Sequence, residues 1–206
     1  MDNKNAVEKI SENLLTNIGA TLLSAFSGNP VASLLPVLTG ALASGRHKKR
    51  VETAIRKIDA ILRAHEAQLK EITDAQYKII NESVLALFQT VEQRKIDYLK
   101  NSIERALFLH DVTVLEADAL SRVIRDISAA EAKFLLENKD YGSVQIGDFP
   151  EESQSDVLFI PKNSPLILIV SGLMSLGLLV PSESVWGAPD RMMFSPICER
   201  LVELLY

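Results

Sequence analysis

Cysteine is almost missing from this chain. Cys198 is the only one, which excludes an internal disulfide framework and any Cys-rich zinc site. Glycine and proline are sparse, at 9 and 8 residues, so the few that occur act as punctuation. The sequence contains neither G-x-x-x-x-G-K-[ST] nor G-x-G-x-x-G, and nucleotide binding through those phosphate cradles has no support. No H-E-x-x-H occurs, and His47, His65 and His110 are far apart in sequence. His65 has no second His or Cys at i±3 or i±4, so it reads as a core-edge histidine rather than a ligand. The Glu-x-x-His pattern of a di-metal helical bundle is also absent. Cys198 falls one turn into the last helix, where a helix N-terminus can lower a thiol pKa, but a lone cysteine in an apolar helix reads first as core. These absences lead to the expectation of a non-enzymatic protein with no catalytic residue, no metal and no cofactor.

Charge is missing from one long stretch. Residues 13–45 carry none, and Arg46-His47-Lys48-Lys49-Arg50 follows at once. Elsewhere the composition is ordinary: 47% apolar and 24% charged over 206 residues, enough to bury a proper core and too apolar for general disorder. The net charge of −5 argues against a dedicated nucleic-acid binder. That average hides a division. Of the 22 basic and 27 acidic side chains, fifteen and thirteen lie up to Asp111, and seven and fourteen beyond it. Asp2, Glu8 and Glu12 among the first lysines read against a cleavable signal peptide, and the single cysteine suits a reducing cytoplasm.

The uncharged stretch reads as two apolar helices, over residues 7–26 and 31–43, separated by Ser27-Gly28-Asn29-Pro30, a strong stop. Val7, Ile10, Leu14, Ile18, Leu22 and Phe26 form one stripe. Leu34, Leu35, Leu38 and Leu42 share one side of the second helix, which Gly45 ends. A bilayer span needs about 20 apolar residues, and each arm offers only about 13. Two readings stay open: a buried helical hairpin, or an interfacial hairpin with its basic cluster on anionic headgroups. The candidate contact residues are therefore Leu34, Leu35, Leu38 and Leu42 for a membrane or protein partner. For an anionic partner they are Arg46, Lys48, Lys49 and Arg50, reinforced by Arg56 and Lys57. A basic helix start opposes the macrodipole, a mild misfit that favours a use for the cluster.

From Lys48 the steps change. Val51, Ile55, Ile58, Leu62, His65, Leu69 and Ile72 form a heptad seam. Thr73 and Gln76 make a capping box that starts a second long helix, to about Leu109. Its stripe of Ile80, Val84, Leu87 and Val91 continues, after a small phase shift, through Ile96, Leu99, Ile103 and Leu107. The expectation is a long antiparallel helix pair over residues 48–109. Two further capping boxes, Thr113/Glu116 and Ser128/Glu131, start helices reaching about Ile127 and Asn138. Beyond Lys139 the spacing predicts a short strand at 144–146 and another at 156–160. A helix follows, capped by Ser164 with Pro165 at its first position. Strands at 178–180 and 192–194 flank a loop holding Trp186, and Ser195-Pro196 caps a last helix.

The order of these elements resembles a winged-helix domain, with Leu173-Met174-Ser175-Leu176-Gly177-Leu178-Leu179 similar to the approach to the wing. The counterpart of the base-reading helix is Pro165-Leu166-Ile167-Leu168-Ile169-Val170-Ser171-Gly172, which has nothing to read a base. The resemblance thus implies a protein-interaction module. The fold class expected is mainly α: a helical domain over residues 1–111, then a small winged-helix-like α+β domain over 112–206. The whole layout resembles the bacterial abortive-infection alpha family. The likeness lies in the apolar N-terminal segment, the helical middle and the Ile127-Ser128-Ala129-Ala130-Glu131-Ala132 helix start ahead of the Leu-Gly-Leu-Leu module. It implies a role in phage defence, with the mechanism unspecified. The uncharged stretch, the adjoining basic cluster and the helix with nothing to read a base point to action through protein or membrane interaction, in the cytoplasm or at the inner face of the membrane. Two alternatives are a helical scaffold whose seam pairs copies, and binding of a nucleic-acid backbone through residues 46–50.

Overall fold

The computed structural model describes residues 45–149, 156–182 and 190–206. The expected apolar hairpin, with Leu34, Leu35, Leu38 and Leu42, and the Trp186 loop lie outside the described residues. Contacts divide the chain into two compact units, Met1–His110 and Asp111–Tyr206. The described part is mainly helical, with a small mixed sheet in the second unit.

In the first unit, α1 (Gly45–Ala64) and α2 (Glu66–Lys70) are followed by α3 (Asp74–Gln89) and α4 (Gln93–Ala106). Gly45, expected to end the preceding helix, is the first residue of α1, so the whole basic cluster belongs to that helix. The seam buries Ile55, Ile58, Leu62 and Leu69, but it is not carried by one continuous helix. His65 stands between α1 and α2 at φ −117° and ψ 35°. Its ring meets Phe108 edge-on, with centroids 4.9 Å apart. A tertiary contact and a non-helical backbone at one residue outweigh the local heptad.

The expected second long helix is likewise two helices. Thr90 (ψ 138°) and Glu92 (ψ 120°) are extended, and Val91, assigned by its spacing to the buried stripe, is 67% exposed. The antiparallel pair is therefore α3 with α4, and α1 packs on α4. No glycine or proline marks this turn. Its trace in the sequence was the phase shift of the apolar stripe, together with the adjacent β-branched Thr90 and Val91, which carry low helix propensity.

Two polar devices hold the α3–α4 pair in register. In the interior, the Ser83 hydroxyl lies 2.9 Å from that of Ser102 and donates to the Ile79 carbonyl at 2.8 Å, which satisfies groups that would otherwise be costly to bury. At the open end, Gln76 does two jobs. Its Oε1 accepts the Thr73 N–H at 2.8 Å, while the Thr73 hydroxyl accepts the Gln76 N–H at 3.2 Å, completing the capping box. Its Nε2 donates to the carbonyls of Leu107 and Leu109 at 3.3 and 3.1 Å, which lie beyond the last intrahelical bonds of α4.

The second unit begins at Asp111, whose φ of 58° is a left-handed geometry that Asp tolerates better than most residues. α5 (Val114–Asp126) and α6 (Ala129–Glu137) follow, each started by its expected capping box. Glu116 accepts the backbone N–H and the hydroxyl of Thr113, and these bonds hold its carboxyl below the usual range. The sheet comprises β1 (Ser143–Gly147), β2 (Val157–Pro161), β3 (Leu179–Pro181) and β4 (Asp190–Phe194), in the order β2-β1-β4-β3. β1 and β2 run parallel, with Ser143 opposite Val157; β4 is antiparallel to both β1 and β3.

α7 (Leu166–Ser175) connects β2 to β3, and α8 (Pro196–Leu205) closes the chain against α5 and α6. α7 starts at Leu166 with Pro165 in the cap position, one residue later than expected, while the Ser164 hydroxyl accepts the Leu166 N–H at 3.2 Å. α7 ends in a Schellman motif: Leu178 N–H reaches the Leu173 carbonyl and Gly177 N–H the Met174 carbonyl, both at 2.9 Å. This requires the left-handed φ of 72° at Gly177. Ser195, expected to cap α8 with its side chain, instead donates its hydroxyl to the Gly177 carbonyl at 2.7 Å. The hydroxyl is drawn to the chain reversal rather than to the helix it precedes.

Gln76 separates local from tertiary roles. Gln76→Ala removes half a capping box and strands two carbonyls, at a cost of about 2 kcal/mol. Gln76→Glu keeps the standard capping residue but turns a carboxylate oxygen toward the same two carbonyls, so it is expected to destabilise at least as much. Urea unfolding should show lower midpoints with unchanged slope for both. A wild-type midpoint for Gln76→Glu would mean that the bonds to Leu107 and Leu109 carry no weight.

Candidate functional site

The basic cluster sits in the opening turns of α1, which has no acidic residue in its first turn. Arg46, Lys48 and Lys49 are placed by the helix backbone. The side chains of Arg46, Lys48 and Lys49 lie outside the described residues. Arg50 is exposed, and its Nη1 donates to the Val91 carbonyl at 2.9 Å. The guanidinium therefore pins the α3–α4 turn while keeping its charge at the surface. Farther along the same helix Arg56, Lys57 and Arg63 are exposed; Arg63 binds Asp59 at 3.0 Å. Of the four anionic-partner candidates Arg50 alone has a described side chain, and Arg56 and Lys57, read from sequence as reinforcing the cluster, are exposed as well.

A second feature is α7. Only Val170 and Leu173 of this helix are buried. Leu168 is 79% exposed, and Leu166 and Met174 are each about two-fifths exposed. Ile167 and Ile169 are half-buried, and Ser171 and Ser175 complete the outward side. No residue from 163 to 181 is charged. On its inner side α7 approaches α6 at Gly172, where a side chain would collide with the Glu131 carboxylate. Glu131 is not free to yield, because it accepts the Ser128 N–H at 2.7 Å in the α6 capping box. The small residue at 172 was legible only as helix interior; its reason is the neighbouring cap.

The second unit also contains a cleft of about 340 Å³, lined by Leu135, Lys139, Tyr141, Met193, Cys198 and Glu199 among others. Lys139 stands over the Tyr206 ring, 4.4 Å from its centroid. Cys198 is buried, and burial, with a smaller contribution from Glu199, pushes its thiol up to about 12. The helix N-terminus that would lower it loses to desolvation. The cleft can hold an apolar group, but its thiol is not an activated nucleophile. Among the described residues no group of three or more His, Cys, Asp or Glu is placed to hold a metal ion. Among them, too, no helix is long and apolar enough to cross a membrane.

Compared with protein-family models, curated proteins and solved structures, the chain finds no match.

With its thiol at about 12, only about one Cys198 in ten thousand is a thiolate at pH 8. Maleimide labelling of the native protein is expected to be slow and to rise in step with urea unfolding. Rapid stoichiometric labelling without denaturant would show that Cys198 is accessible and poised to react.

Proposed function

We propose that the chain is a non-enzymatic protein of the defence type implied by its likeness to the abortive-infection alpha family. In this reading it acts by binding another protein through the α7 side of its second unit. The observation that carries the proposal is the composition of that helix against its exposure. A helix so apolar and free of charge suits a core or an apolar medium, yet the outward side of α7, with Leu168, Ser171 and Ser175, meets solvent. An uncharged helix side with exposed apolar side chains supports an interaction surface. The partner that fits presents an apolar, uncharged face, because α7 offers no charge to pair.

The second unit is on this reading winged-helix-like, with α7 in the place of the base-reading helix and the β3–β4 pair as the wing. β2, lying parallel to β1, is an addition to that pattern. Nucleic-acid recognition by α7 has nothing to rest on, since no Arg, Lys, Asn or Gln occurs from 164 to 181. The scaffold alternative loses its support as well. The seam that would pair copies is already buried within the first unit at Ile55, Ile58, Leu62 and Leu69.

Leu168→Asp tests the reading cleanly. The site is exposed, and Asp suits the first turn of a helix, so stability should hold within about 0.5 kcal/mol. Bacteria expressing the wild-type chain are expected to resist phage infection, and those expressing Leu168→Asp at equal abundance to lose that protection. Full protection by the variant would remove α7 as the partner surface. Absence of protection by the wild-type chain would remove the defence role.

A further inference from the structure

We infer that the outward side of α1 is a docking surface for the anionic headgroups of a lipid bilayer. This helix carries seven basic and two acidic side chains in a chain of net charge −5. Helical periodicity sorts them. Ala54, Ile55, Ile58 and Leu62 face the core, and Arg50, Thr53, Arg56, Lys57, Ala60 and Arg63 are exposed on the opposite side. From 50 to 63 the stripe runs about 20 Å along the helix. Arg50, Arg56, Lys57 and Arg63 are exposed, and among the described residues neither Arg56 nor Lys57 has an ion-pair partner. Arg50 donates to a neutral carbonyl, and among the described residues it has no ion-pair partner.

Charge complementarity calls for an anionic partner, and two features favour a bilayer. The outward side places Thr53 and Ala60 between the cations. It has no Asn or Gln to read base edges and no aromatic ring on which a base would stack. The chain enters α1 from residues 13–45, which carry no charge; basic clusters beside such apolar segments are what anionic leaflets attract. The apolar side of α1 is already covered by the protein, so the contact is made at headgroup level through Arg and Lys, without insertion of α1.

The surface lies on the first unit and does not depend on what α7 binds. The test is co-sedimentation of the full chain with neutral phosphatidylcholine vesicles and with vesicles that also contain phosphatidylglycerol. Wild type, Arg56→Gln/Lys57→Gln and the control Lys133→Gln/Lys162→Gln are compared, all with the same melting temperature. The wild-type chain and the control are expected to pellet with anionic vesicles at low salt and to dissociate at about 0.5 M salt. Arg56→Gln/Lys57→Gln should bind about 30-fold more weakly. Equal binding to neutral vesicles, or equal binding by Arg56→Gln/Lys57→Gln, overturns the inference. So does retardation of a mixed-sequence DNA duplex without vesicle binding, which would transfer the stripe to nucleic acid.

Discussion

The side-chain amide of Gln76 is the contact on which the helical unit depends. One group starts α3 and closes α4, because it accepts the Thr73 N–H and donates to the carbonyls of Leu107 and Leu109. Buried polar groups must find partners, and this requirement sets the register of the α3–α4 pair as firmly as its apolar contacts do. The Ser83–Ser102 hydroxyl pair repeats the logic at mid-height. At the far end, Arg50 binds the Val91 carbonyl of the connecting turn, so α1 is tied to the same pair. A residue singled out for its charge thus has a structural bond as well.

The second unit answers the same constraint differently. Its reversal from α7 to β3 turns on the left-handed Gly177, whose carbonyl accepts the Ser195 hydroxyl. The end of one helix and the start of the last are thereby joined by a single bond. Gly172 allows α7 to lie against the cap of α6. With its inner side fixed in this way, the helix has no freedom to turn Leu168 inward. The outward apolar surface of α7 is a consequence of how its other side is held.

Much of the local structure was legible in the residues. The three capping boxes fixed the starts of α3, α5 and α6, because Thr or Ser with Gln or Glu three residues later satisfies two free N–H groups at once. Pro165 and Gly177 bounded α7, and the β-branched and aromatic runs located the strands. The turn at Thr90 was legible only as a phase shift, since no residue there forbids a helix. His65 was legible as a seam position but not as a break, because its partner Phe108 is 43 residues away in the chain. The candidate surfaces divided the same way. The basic cluster was visible as a run reinforced by Arg56 and Lys57, but that Arg50 also binds the Val91 carbonyl and that Arg63 pairs with Asp59 appears only in the folded helix.

Within the described residues, the sequence by itself determined most of the segments that are helices and strands, where most of them begin, and that the C-terminal unit holds an uncharged helix. These are properties of neighbours within about four residues, where caps, backbone geometry and apolar period act. Tertiary structure alone decided that α3 and α4, rather than two longer helices, form the antiparallel pair. It also decided that β1 and β2 run parallel, that Ser195 serves Gly177, and that α7 keeps one apolar side in water. Each of these turns on groups far apart in the chain competing for the same partner, and no local pattern records which of them wins.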